Sequence, residues 1–287
     1  MVVSTGLMII LVGLGIATGL IGALLGLGGG IFLVPALTLG LGLPFPLAAG
    51  TSLVSVAATS AGGSSTYVRT RVANIRLGIL LAIATVAAAV AASFLARAID
   101  DHILRALFSV LLAYTGWTML RAPRRDATAP PPPPDPADDP WHLTASYTDA
   151  RAGTVTYTPR RLPGAMGASL LGGAISGLLG VGGGIVQVPV MHLLMGMPLK
   201  AATATSSYLI GLTATASALV YYAGGRIDPM IAAPTALGIF AGARLGAYLG
   251  GRLSTPALKR IFGVVALLVA LQMLLQTFNA CPWCAGG

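Results

Sequence analysis

Apolar residues run through this chain in long charge-free stretches, at 2–68, 77–96, 106–120, 164–199, 201–225, 229–243 and 261–280. A helix needs about 20 apolar residues to span a bilayer, so the opening stretch holds more than one crossing. Gly26-Leu27-Gly28-Gly29-Gly30 and Pro44-Phe45-Pro46 divide it into pieces at 4–27, 31–43 and 46–67. The middle piece would reach about 20 Å as a helix, too short to cross comfortably. This punctuation predicts a broken or re-entrant segment.

The polar positions gather between the two apolar halves. Residues 121–163 hold five consecutive prolines at 130–134 and 11 of the 25 charged side chains, a solvated and partly polyproline linker. Weak alternation over 154–158 marks a short strand candidate within it. The halves on either side are copies of one another. A shift of 154 residues, without a gap, lays Gly26-Leu-Gly-Gly-Gly-Ile on Gly180-Val-Gly-Gly-Gly-Ile and Pro35 on Pro189. The same shift lays Pro44 on Pro198, Thr51-Ser52 on Thr205-Ser206, Tyr67 on Tyr221 and Phe108 on Phe262. Such coincidences at special residues indicate a tandem membrane repeat.

Composition sharpens the class. Of 287 residues 55% are hydrophobic and 9% charged, all eight acids are Asp, and mean hydropathy is +0.84. Soluble domains carry roughly a quarter charged residues, so this surface faces lipid. The net charge of +9 then belongs to loops facing anionic inner-leaflet lipids. Nucleic acid is not an expected partner, because aromatics to interleave with the basic side chains make up only 6%.

Charge also orients the repeats. With the linker inside and an odd number of crossings per half, Arg69, Arg71, Arg76, Lys200, Arg252, Lys259 and Arg260 lie inside, against Arg97, Arg105 and Arg226 outside. An even number reverses that bias, so the positive-inside rule favours inverted-topology repeats with both termini outside. Gly238, Gly242, Gly246 and Gly250, matched by Ala84, Ala88, Ala92 and Ala96, form ladders for close helix packing.

The chemistry concentrates at the duplicated breaks. Neither Gly-rich run is followed by Lys-Ser/Thr or preceded by a strand, which excludes a nucleotide loop. Three glycines in a membrane helix free backbone groups that need protein, water or a ligand, and a helix start offers amide donors to an anion. The alternative is that Gly28–Gly30 and Gly182–Gly184 only permit tight hairpins. Thr51-Ser52 and Thr205-Ser206-Ser207 open the next segment in each copy. They either bond back to the preceding turn or ring a small oxyanion, with the Gln187 amide added where the first copy has Leu33.

The run Gly26-x-Gly-Gly-Gly, then Pro35 and a small-Thr-Ser cluster, repeated in the second half, resembles the sulfite exporter TauE/SafE family over about residues 5–121 and 164–278. The resemblance implies a carrier of sulfite, organosulfonates such as sulfoacetate, or related sulfur oxyanions. The Pro-rich linker and the terminal Cys pair lie outside the family pattern.

Remaining polar groups carry two readings each. Arg244, about 200° around its helix from the glycine ladder, either lines an anion path or snorkels to the inner surface. His192 is a candidate proton relay, against an interior imidazole with satisfied bonds. Asp228, aligned with Asn74, caps or turns at a loop edge. No carboxylate lies deep in any segment, which disfavours a carboxylate cation site and suits an anionic cargo. Cys281-Pro-Trp-Cys284 is read as a local disulfide or inert tail in an oxidising compartment. A redox role, or half of a zinc site shared with a second chain, are the alternatives.

The expected molecule is an all-α polytopic membrane protein of two inverted repeats, each of about five helical segments, some broken or re-entrant. Residues 1–121 and 164–280 form the repeats, 122–163 a cytoplasmic linker and 281–287 a tail. The expected function is non-enzymatic, without cofactor or resident metal: export of a small sulfur-containing anion across the cytoplasmic membrane by alternating access. An anion channel on the same scaffold is the alternative.

Overall fold

The computed structural model describes residues 5–25, 28–69, 71–121, 141–149, 153–250 and 255–279. Helices dominate it, and the two halves share one order. In the first, α1 (Thr5–Leu25) is followed by the short α2 (Gly30–Pro35) with a π-helical extension over Ala36–Gly40. Then come α3 (Phe45–Arg69), α4 (Ile75–Leu95) and α5 (Asp101–Arg121). In the second, α6 (Leu162–Leu179) precedes α7 (Gly184–Pro189) and its π-helical extension Val190–Leu194. The long α8 (Leu199–Ala223), α9 (Pro229–Gly250) and α10 (Thr255–Asn279) complete it. Among the described residues five helices are long and apolar enough to cross a membrane, in α1, α3, α4, α5 and α6, and Gly30–Gly40, Gly184–Leu194 and Gly263–Thr277 are shorter apolar helices. The protein is an all-α, multi-pass membrane protein, and 31–43 is the short segment that its length predicts.

Proline explains the shape of the short segments. Pro35 and Pro189 lack the N–H that would continue the ladder, and the ring pushes off the preceding carbonyl, so the turn that follows widens to π geometry in both copies.

Packing follows the small residues, because lipid tails are as apolar as leucine and helices associate by close fit. Gly238, Gly242 and Gly246 of α9 lie against the backbone carbonyls of Val12, Ile16 and Leu20 of α1, leaving no room for a Cβ. Both series ascend together, so α1 and α9 run parallel. Gly173 and Gly177 of α6 sit equally close to the Thr85 and Ala89 carbonyls of α4. The shift of 154 turns one seam into the other. Two further pairs join an element to its own repeat mate. Gly50 abuts the Arg226 carbonyl and Tyr221 ring, while Gly211 abuts Ser60, so α3 and α8 cross antiparallel. Gly116 lies against Gly263 and Leu267, and Gly263 against Leu120, so α5 and α10 are antiparallel too.

Among the described residues the linker contributes a hairpin. Strands β1 (Ala145–Asp149) and β2 (Gly153–Tyr157) form an antiparallel hairpin, close to the alternation noted at 154–158. Leu143, Tyr147 and Tyr157 are buried with Leu77 and Leu81 of α4, Met195 and Met197 before α8, and Ala201 of α8. Residues 122–140 and the Cys281/Cys284 pair lie outside the described residues.

Candidate functional site

The two breaks converge near the middle of α3 and α8. Gly29 (φ 75°) and Gly183 (φ 74°) precede α2 and α7 in the left-handed region, where only glycine sits without strain. Their carbonyls accept the first helical bonds, from Phe32 and Leu33 in one copy and from Val186 and Gln187 in the other. Neither helix start has a side-chain cap, and the Gly30 N–H donates back to the Gly28 carbonyl at 3.0 Å. No charged side chain lies on 28–62 or 162–199. The polar character of the centre comes from backbone dipoles and hydroxyls alone.

Ser52 ties the copies together. Its Oγ donates to the Gly180 carbonyl at 2.7 Å, with the Gly30 carbonyl at 3.4 Å. The first hydroxyl cluster is thus bonded to the second break and packed against the first. Its mate Ser206 lies beside Gly184, but its Oγ, like Thr51 Oγ1, is buried with no hydrogen-bond partner. Thr205 Oγ1 accepts the Asn74 N–H at 3.0 Å. The structure therefore gathers Gly28–Gly30, Ser52, Gly182–Gly184 and Ser206 about one centre.

Other sequence candidates stand apart from it. Gln187 is fully buried, but its amide accepts from Ser169 Oγ and donates to Thr85 Oγ1, both at 3.1 Å, binding α7 to α6 and α4. Ser207 Oγ bonds back to the Thr203 carbonyl at 2.9 Å. Arg244 is exposed on α9 with its guanidinium 4.9 Å from the Phe240 ring centroid, outside the central cluster. His192 Nδ1 lies 2.8 Å from the Met197 carbonyl; a carbonyl only accepts, so Nδ1 carries the hydrogen.

Several groups escaped the sequence reading. Thr85 and Ser169 complete a polar bridge whose mates are Ile239 and Gly15, and the only signal was a hydroxyl among apolar residues, one of two on each helix. Ser55, Ser176 and Ser217 are further buried hydroxyls without a partner. Asn74 does more than cap α4 through Leu77 N–H. It also donates Nδ2–H to Leu143, anchoring the hairpin. At the other face Arg226 donates to the Ala96 and Arg97 carbonyls, and Arg97 to Val220, closing the ends of α4 and α8.

Comparison with known proteins agrees with a transporter. "Probable membrane transporter protein YunE" of Bacillus subtilis (strain 168) is 25% identical over 93% of this chain and 97% of its own length. A "Probable membrane transporter protein" of Xylella fastidiosa (strain 9a5c) is 28% identical over 94% of this chain and 96% of its own. "Probable membrane transporter protein MamO" of Magnetospirillum gryphiswaldense (strain DSM 6361 / JCM 21280 / NBRC 15271 / MSR-1) is 32% identical, but over only 36% of this chain and 17% of its own. No solved structure matches the chain. The sulfite exporter TauE/SafE family model matches residues 11–273, through both breaks and both hydroxyl clusters, and the chain belongs to that family of membrane transporters.

Proposed function

We propose that this protein is a secondary transporter that exports a small sulfur-containing anion, sulfite or an organosulfonate such as sulfoacetate, across the cytoplasmic membrane. The observation that carries the reading is the meeting of the two breaks, joined by the Ser52–Gly180 hydrogen bond, with the buried Ser206 hydroxyl unpartnered beside them. A buried donor without a partner is costly, and a desolvated oxyanion is an acceptor that would satisfy it. In this reading the anion is held by amides around Gly28–Gly30 and Gly182–Gly184 and by the hydroxyls of Ser52 and Ser206, with Thr51 and Thr205 lining the approaches. Gln187, Ser207 and Arg244 support or flank the path without touching cargo, and His192 is left with Nε2 for proton exchange in coupled export.

Antiparallel crossing of the repeat mates α3 with α8 and α5 with α10 supports inverted topology. A two-fold axis along the membrane normal would make mates parallel. An axis in the membrane plane makes them antiparallel, which suits rocking of one half against the other about a shared site. By the positive-inside rule, in this reading the linker lies in the cytoplasm and both termini lie outside. The test is flux into proteoliposomes with sulfite, thiosulfate, sulfate and sulfoacetate, each with and without a pH gradient. Saturable sulfite or sulfoacetate flux that responds to the gradient is the expected result. Non-saturating flux would make the protein an anion channel, and no flux of any of the four would overturn the assignment.

A further inference from the structure

The space between the two glycine breaks is not open. Val56 of α3 and Ile210 of α8, repeat mates by the shift of 154, fill it from opposite sides and are almost wholly buried. A Cβ built on Gly30 would lie 2.7 Å from Val56 Cγ2, and one on Gly184 would lie 2.5 Å from Ile210 Cδ1. The contact is therefore duplicated, each branched side chain seated against the first residue of its own copy's short helix. Both also converge on Gly182, where a Cβ would meet Val56 Cγ1 at 2.7 Å and Ile210 Cγ2 at 2.8 Å. The face that the glycines leave bare is thus covered by methyl groups.

We propose that Val56 and Ile210 are the occluding pair of the path, closing the central site in this state and setting the size of anion that passes. This rests on the transport reading above. Two aliphatic side chains with no polar atom cannot replace an anion's hydration, and apolar constrictions of this kind close a path by dewetting. Valine and isoleucine on a helix hold essentially one χ1 rotamer, so neither swings aside within a static backbone. The pair separates only when α3 and α8 move relative to one another, and those helices come from different repeats. Opening is in this way tied to the rocking of the halves instead of to a loose side chain. The glycines are the other half of the device, since any Cβ at residues 30, 182 or 184 would hold the pair apart.

The test reads the gate without needing a substrate. In a Cys281→Ser/Cys284→Ser background, Ser206→Cys is labelled with a small charged methanethiosulfonate in membranes. Three further variants are compared: Val56→Ala/Ile210→Ala, Ile210→Val, and Leu104→Ala, an equally buried position on α5 that faces neither break. With an open state populated at ordinary minor-state levels, the double Ala variant should raise the labelling rate about tenfold or more. Ile210→Val should raise it less, and Leu104→Ala should leave it unchanged. The graded Val variant carries the test if the double variant does not purify as a single species. Equal rates across the set overturn the occluding role, whatever the cargo. Sulfite flux measured on the parent protein fails or succeeds separately, so loss of the transport reading is distinguishable from loss of the gate.

Discussion

A hydroxyl buried in an apolar helix has two cheap outcomes, a bond to the preceding turn or a bond across to a neighbour, and one expensive one. Thr213 and Thr235 take the first, Ser52 the second, and Thr51 and Ser206 the third. These classes predict different phenotypes. Ser52→Ala removes the bond to the Gly180 carbonyl and should lower stability by about 1 kcal/mol, read as a lower melting temperature in detergent. Thr51→Val and Ser206→Ala remove no protein hydrogen bond, so melting should hold. For Ser206→Ala, sulfite affinity should weaken by about 1 kcal/mol, seen as a raised KM in proteoliposomes. The hydroxyl types and spacings were legible in the sequence because duplication marked them. Which of the three outcomes each one takes was not, since that depends on how far the neighbouring helix stands away.

Between elements, close approach does the work that hydrophobic burial does in water. The glycine ladder of α9 was legible as a packing face, and the structure seats it on α1, a helix more than 200 residues earlier in the chain. Gly242→Ala puts a Cβ into the Ile16 carbonyl, a backbone atom that cannot rotate away. The expected cost is about 1–3 kcal/mol, read as a lower melting temperature, with Ala243→Gly as a comparison. The linker hairpin makes a second prediction. Burial pushes the Tyr157 phenol up to about 12, from an ordinary value near 10. A phenol with a raised folded value stabilises the docked hairpin fully below pH 10, and that contribution fades as pH rises through 10 toward 12. Protease access to the hairpin should increase over that window, and Tyr157→Phe should reduce the pH dependence. The strand alternation was visible beforehand, but its docking onto Asn74, Met195 and Met197 required both halves of the chain.

For the whole molecule, α3 and α8, like α5 and α10, cross antiparallel, and the inverted topology proposed from this puts the C-terminus outside. Alkaline phosphatase fused after residue 287 should be active outside the cell, and a green fluorescent protein at the same place should stay dark. The opposite pattern would place the C-terminus in the cytoplasm. The charge bias of the loops and the antiparallel seams point the same way although they rest on different physics, one on lipid potential and the other on backbone contact. The arginines at the face away from the linker, Arg97 and Arg226, cap the carbonyls at the ends of α4 and α8. Their cost in the charge count is offset by that structural use.

Apolar runs, glycine breaks, proline positions and the shift of 154 residues determined by themselves that the chain lies in a membrane, where its segments divide and that they come in two copies. Those features are local, because hydropathy over about 20 residues and the backbone demands of Gly and Pro need no partner to act. Only the tertiary structure decided that Gln187 binds Ser169 and Thr85 instead of joining the hydroxyl clusters. It likewise decided that Ser52 reaches the opposite repeat and that Val56 and Ile210 fill the space the glycines leave. Each of these is a contact between segments some 20 to 155 residues apart, set by how closely helices approach, and apolar side chains carry no mark in sequence of which gap they will fill.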